Sequence, residues 1–308
     1  AHDCRVAGGA PQGRGAGDRS FRDHAQRIRL PDLATQHRQP TDGRVTVGPL
    51  TTGPVRREAV ALTGARLAFG DRVLWENLDL SVAAGEFIAV LGPNGTGKTS
   101  LLKVLLGQLP LSAGKAMADG PIGYVPQHHP IDREVMLRGR DLVGLGVDGH
   151  RWGAVALRAT DRARRRTTVQ RALQQVNGEQ LGDVRVGLMS GGELQRVRIA
   201  QALASDPTLL LCDEPLLTLD PANAKLVAEL IDTRRRDAGT TVIVVTHEIN
   251  PILPYVDRVL YLVDGRFRIG SVEQVMTAET LSELYRADIE VVKVKDRYFV
   301  VGTPDGQV

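Results

Sequence analysis

Cysteine is nearly absent. Cys4 and Cys212 are the two among 308 residues, one in a Gly/Arg-rich lead and the other inside an apolar run. They give neither a disulfide framework nor a metal-ligand spacing, which fits a reducing cytosol. Aromatics make up 4% of the chain against 42% hydrophobic residues, so Val, Leu, Ile and Ala must build the core. No apolar run approaches the ~18 residues that cross a bilayer, so any role at a membrane requires a partner. A large charge excess is missing too. Of 39 basic and 36 acidic residues, ten and six fall in residues 1–58, leaving 29 and 30 for the rest. The net charge of +3 thus originates in the N-terminal stretch. The remainder shows no polyanion-binding surplus, and no nucleic-acid partner is expected. Trp75 and Trp152 are too isolated to form a stacking platform.

Residues 1–57 lack hydrophobic periodicity and are rich in Gly, Arg, Asp, Gln and Pro. Such a segment buries too little apolar surface to offset the entropy of ordering it, so disorder is expected. Its Arg without Lys fits a transit peptide, but its acidic residues and scarce Ser argue against one. The first residue is Ala, which leaves the true start open.

From residue 58 the pattern changes. Alternation over 59–69 and 73–82 predicts two strands around a Gly70-Asp71 turn, and 86–91 reads as a buried strand. A helix follows over 100–106, then a Gly-rich stretch and a strand at 122–125. Residues 130–204 read as helical, with apolar strands at 208–212 and 241–245. Between those two strands lies a helix starting near Pro221, capped by Asp220 and stopping before Gly239. Residues 289–301 alternate like a hairpin. The sum is an α/β fold with a mainly parallel sheet, an N-terminal antiparallel β subdomain and an inserted helical subdomain over about 128–204. The main domain is expected over 58–280 and a C-terminal extension over 281–308.

Three constellations carry chemistry. Gly92-Pro93-Asn94-Gly95-Thr96-Gly97-Lys98-Thr99 matches G-x-x-x-x-G-K-[ST], set between a buried strand and a helix. Its amides can curl around phosphates, with Lys98 reaching the β- and γ-phosphates and the Thr99 hydroxyl placed for Mg²⁺; Ser100, where the helix begins, is counted with the nucleotide-binding residues. Next, the apolar run 209–212 ends in Asp213-Glu214, which puts two carboxylates at the C-terminal edge of the sheet. Asp213 is placed to hold Mg²⁺ and Glu214 to deprotonate an attacking water. Last, Ser190-Gly191-Gly192-Glu193 reads as a capped helix start with small residues open to an anion. One chain thus offers two phosphate sites and a single P-loop, which argues for two subunits.

The order of these motifs, with Gln127 after Gly123-Tyr124-Val125-Pro126, Leu219-Asp220, and His247 after Val244-Val245-Thr246, resembles the ABC ATPase family over about 58–280. The resemblance implies a P-loop NTPase that binds ATP and Mg²⁺ and drives membrane permease subunits as a homodimer. It also implies that Phe69 stacks on adenine, that Gln127 links Mg²⁺ to the membrane partner, and that His247 contacts the γ-phosphate. Ser190 and Gly192 would act on ATP held by the opposite subunit, and Asp220 would belong to the loop crossing the dimer. Met189 and Glu193 stand where the family most often has Leu and Gln, which leaves the Ser-Gly-Gly contact intact.

The stretches 122–127, 138–143, 216–220, 256–261 and 281–285 are similar to bacterial manganese/zinc importers, with Arg286 where that subgroup commonly has Gly. An extracytoplasmic metal-binding protein and a place on the cytoplasmic face of the membrane follow from that likeness. Alternatives are a motor for an iron–siderophore or an exported molecule, or a soluble ABC ATPase of DNA repair or translation. The last class needs tandem cassettes, Cys pairs or coiled-coil insertions, which this sequence lacks. The adjacent His128 and His129 have no companion ligands and read as a surface loop. The Arg162–Arg166 cluster reads as a solvated helix face, and Cys212 as a small core residue.

Overall fold

The computed structural model describes residues 57–127, 131–148 and 159–302. The expectations for residues 1–56, His128, His129 and Trp152 lie outside the described residues.

Strands β1 (Glu58–Phe69) and β2 (Arg72–Ala83) open the chain, and β3 (Phe87–Leu91) leads into helix α1 (Lys98–Leu105). After β4 (Ala113–Ala118) and β5 (Ile122–Val125) come α2 (Gly139–Asp148), α3 (Ala159–Gln175) and α4 (Gly191–Leu203). Then β6 (Leu209–Asp213), α5 (Pro221–Ala238) and β7 (Thr241–Val245) complete an α/β alternation. The chain continues through β8 (Arg258–Val263), β9 (Arg266–Gly270), α6 (Val272–Val275) and α7 (Ala278–Tyr285) to the pair β10 (Glu290–Val294) and β11 (Arg297–Val301).

The central sheet has the order β5-β6-β7-β3-β8-β9 and is parallel except for β9. Every residue of β3, β6 and β7 is buried, as expected for strands covered on both faces. Alternate side chains serve two cores. Ile88, Val90, Leu209, Leu211, Ile243 and Val245 pack with β1, β2 and α1. Phe87, Ala89, Leu210, Cys212, Val242 and Val244 pack instead with α4 and α5. Full burial of each large aliphatic side chain contributes roughly 1.5–3 kcal/mol, so this sheet is the rigid platform of the molecule. Because β6, β7 and β3 are neighbours, the loops leaving their C-terminal ends meet at one edge.

A second sheet, antiparallel in the order β2-β1-β4, packs across that platform. Strand β4 was not expected from the sequence. Its residues AGKAMA include no β-branched side chain and are largely exposed, so it exists through its ladder to β1, where Val60 faces Ala118 and Leu62 faces Ala116. The helical reading of 130–204 also needs refinement. Two short 3₁₀ turns, Glu179–Asp183 and Val186–Leu188, separate α3 from α4. Arg162, Arg164 and Arg166 are exposed on α3, whereas Arg165 is paired with Asp148. Among the described residues no helix is long and apolar enough to cross a membrane.

Candidate active site

The loop from β3 to α1 is shaped by two glycines that have no substitute. Gly92 sits at φ 136°, and a Cβ there would fall 1.9 Å from the Leu262 carbonyl oxygen of β8. Gly97 sits at φ 92°, and a Cβ would come within 2.9 Å of Trp75 Nε1. Trp75 is fully buried beneath the loop. Lys98 closes the curve by donating to the carbonyls of Gly92 and Pro93, both at 2.7 Å, while the Thr96 hydroxyl donates to Pro93 at 3.0 Å. Burial lowers the Lys98 pKa, opposed by the charges of Glu214 and Asp213.

At the end of β6, Asp213 is 1% exposed and accepts a hydrogen bond from the Thr99 hydroxyl at 3.1 Å. Burial raises its pKa, and the Thr99 bond offsets only part of that. Glu214 turns the other way. Its backbone adopts φ 48°, its amide donates to Val245 at 2.8 Å, and its carboxylate lies between two side chains. Gln127 Nε2 donates to Oε2 at 3.2 Å, and His247 Nε2 lies 2.5 Å from Oε1. Glu214, held between two side chains and lining a cleft, is placed to act as a general base.

This cleft, of about 410 Å³, is walled by Phe69, Asn94, Lys98, Thr99, Gln127 and Glu214, with Gly95, Gly97 and Ser100 also lining it, whereas Gly92, Pro93, Thr96, Asp213 and His247 do not. Phe69, at the end of β1, is 51% exposed there. Two residues escaped the sequence reading, Arg72 in the cleft wall and Tyr124 beside Asp213. Arg72 faces Phe69 across the β1–β2 turn, and its guanidinium donates to the Gly95 carbonyl at 3.1 Å. The turn register puts it opposite Phe69, but nothing local points to Gly95. Tyr124 on β5 has its pKa pushed up to about 12 by burial and then by the Asp213 charge; nothing in the sequence singles it out.

Ser190, Gly191, Gly192, Glu193 and Asp220 do not line this cleft. Ser190 caps α4 through a capping box, with Glu193 N–H bonded to its hydroxyl and the Glu193 carboxylate accepting from the Ser190 amide. The Glu193 amide is therefore occupied, which leaves the Gly191 and Gly192 amides as the ones not used by the cap. A Cβ on Gly192 would fall 2.6 Å from the Asn223 side chain, which would have to move aside. Asp220 caps α5 by accepting from the amides of Ala222 and Asn223. The Ser-Gly-Gly turn and the Asp220 loop thus adjoin each other, apart from the cleft.

A family model described as ABC transporter matches residues 75–217. The manganese transport system ATP-binding protein MntB of Listeria monocytogenes is 32% identical over 73% of this chain and 95% of its own length. Relatives of comparable similarity are named for import of aliphatic sulfonates, Fe(3+) ions and phosphonates. Among solved structures, a chain from an inward-facing transporter described as of metal-chelate type superposes with a TM-score of 0.69 at 27% identity, covering 79% of this chain and 96% of that one. A dimeric ATP-binding cassette holding ADP and Pi after hydrolysis gives 0.58 at 26% identity, over 69% and 98%. With likeness of this breadth around a loop and carboxylate pair so arranged, the chain belongs to the ABC transporter family, as an ATP-binding and ATP-hydrolysing subunit.

Proposed function

We propose that this subunit is the motor of an importer for a divalent metal ion, manganese or zinc, working as a homodimer on separate membrane permease subunits at the cytoplasmic face. The observation that carries the substrate class is the 32% identity to a manganese transport ATP-binding protein over nearly all of that protein's length. An extracytoplasmic metal-binding protein would deliver the ion, since the ATPase subunit does not touch it. A motor for a metal chelate is the second reading, favoured by the solved transporter of that type.

In this reading the Gly92–Thr99 loop cradles the phosphates of ATP, Lys98 exchanges its carbonyl partners for the terminal phosphates, and Phe69 stacks on the adenine. The hydroxyl of Thr99, the carboxylate of Asp213 and the amide of Gln127 are hard oxygen donors suited to Mg²⁺. The buried, charge-disfavouring setting of Asp213 fits a residue completed by a cation. When bound, that ion neutralises charge on the phosphates. Glu214 takes the proton of the attacking water, and His247, held beside it, contacts the γ-phosphate. Ser190, Gly191, Gly192 and Glu193, with Asp220 behind them, complete the site of the opposite subunit.

The test is uptake of radiolabelled manganese and zinc by vesicles carrying this chain with its membrane permease, driven by internal ATP. ATP-dependent accumulation of either free ion, lost in Lys98→Ala, supports the proposal. Accumulation of a chelate alone supports the second reading, and accumulation of neither rejects both.

A further inference from the structure

The segment carrying His247 is pinned at both ends. On its N-terminal side the Thr246 amide donates to Val90 at 3.1 Å. The Thr246 hydroxyl donates to Glu248 O at 3.0 Å and accepts from the Glu248 amide at 3.1 Å. On its C-terminal side, three residues after His247, the anchor is remote in sequence. Asn250 Nδ2 donates to the Tyr298 carbonyl at 3.0 Å, and the Tyr298 amide donates to Asn250 Oδ1 at 2.9 Å. This two-point bond uses both ends of one amide side chain and the main chain of β11, so it fixes both position and orientation.

The hairpin that supplies this anchor is itself held rigidly. Tyr298 and Ile289 belong to the main apolar core, with Val291 and Val300 packed against it. The root of the hairpin is latched to α7, where the Ser282 hydroxyl accepts from the Ile289 amide at 2.9 Å and donates to the Ile289 carbonyl at 3.2 Å. A cavity of about 540 Å³ separates β11 from the catalytic edge, and its walls include Phe299 and Val301 on one side and Pro93 and His247 on the other. Across that gap, Asn250 is a direct polar tie from the hairpin to the histidine segment.

We propose that the C-terminal hairpin positions His247 for hydrolysis, with Asn250 as the positioning residue through which it acts. The inference rests on the proposed role of His247 and goes beyond it by assigning a task in turnover to an element outside the matched family region. The tie holds the segment three residues past His247 and touches none of the residues that line the nucleotide cleft, so its loss should slow the chemical step and leave binding alone.

The test uses the full chain in its assembled complex, with Asn250→Ala, Ser282→Ala and the double variant. Asn250→Ala should lower kcat roughly three- to thirty-fold, the scale of a small misplacement away from the chemistry, with KM and ATP affinity unchanged. Amide hydrogen exchange should quicken over residues 246–250 and at Tyr298, and not in the 92–99 loop. Ser282→Ala loosens the hairpin root without touching the histidine segment and should lower kcat in the same direction. The double variant should be no slower than Asn250→Ala alone, because both act through one tie. An unchanged kcat in Asn250→Ala despite faster exchange would overturn the proposal, as would a joint shift of kcat and KM or additive effects in the double variant. Absence of hydrolysis by the unsubstituted complex would instead count against the function proposed above.

Discussion

Burial raises the pKa of the Asp213 carboxyl, and the Thr99 hydroxyl and nearby lysines bring it only part of the way back. The folded protein without nucleotide therefore keeps this proton at pH values where the unfolded chain has lost it. Its contribution to stability is largest at low pH and is lost as pH rises from the ordinary carboxylate range through the raised folded value. Asp213→Asn keeps the shape and removes the charge. It should raise the thermal midpoint at pH 7 by a few degrees, flatten the pH dependence measured by scanning calorimetry, and abolish hydrolysis. A midpoint that falls would mean that the charge is stabilising after all. Glu214 is placed differently, on left-handed backbone and between Gln127 and His247. Replacing it with Gln keeps a hydrogen-bonding side chain there but removes the basic oxygen. Turnover should drop roughly 10²–10⁴-fold while ATP still binds, and size exclusion should then show an ATP-trapped dimer; near-normal turnover would remove Glu214 from the role. For Arg72, the bond to Gly95 stiffens the loop tip and puts a cation at the cleft rim. Arg72→Ala should raise KM for ATP severalfold with kcat within about twofold, the signature of lost uniform binding.

At the scale of elements, β3, β6 and β7 were legible because strands buried on both faces are continuous apolar runs, and α5 because Asp220, Pro221 and Gly239 mark both of its ends. The loop after β3 was legible because glycine is obligatory where backbone and Trp75 crowd it. The unexpected β4 carries no such signal, since its pairing with β1 rather than its own side chains decides it. Arg72, Tyr124 and Asn250 went unnoticed for a related reason. Each matters through a partner distant in sequence, and no local pattern encodes Gly95, Asp213 or Tyr298 as that partner. The cap of α5 offers a check on local encoding. Asp220 accepts from two helix amides and from the Asn223 side chain, and those bonds hold its pKa below the ordinary value. Asp220→Ala leaves the amides without that acceptor and should lower the thermal midpoint by a few degrees, whereas Asp220→Asn, also a good cap, should nearly restore it. Equal losses in both variants would show that charge rather than capping is at work.

At the scale of the whole molecule, the cleft of one chain has a cradle and the Glu214 carboxylate, with Asp213 and His247 bonded to its wall residues from behind, yet its walls do not include the Ser190 turn. That turn sits beside the Asp220 loop, with Gly192 pressed against Asn223, so the two form one surface unit able to face another copy. Head-to-tail pairing of two copies would set this unit over the partner's cradle and create two shared sites. Ser190→Arg should bind ATP through its own loop and fail to hydrolyse it as a homodimer, and Lys98→Ala should fail as a homodimer as well. Mixing the two variants separates shared from self-contained sites. In the mixed dimer one composite site carries both defects and the other carries neither, so measurable ATPase activity should return. Self-contained sites predict no recovery, because every chain then carries its own lesion. If mixed dimers form and remain inactive, labelled nucleotide decides the cause. Capture of ATP by the Ser190→Arg chain would mean that both sites must fire together, and capture by neither chain would defeat the shared-site arrangement.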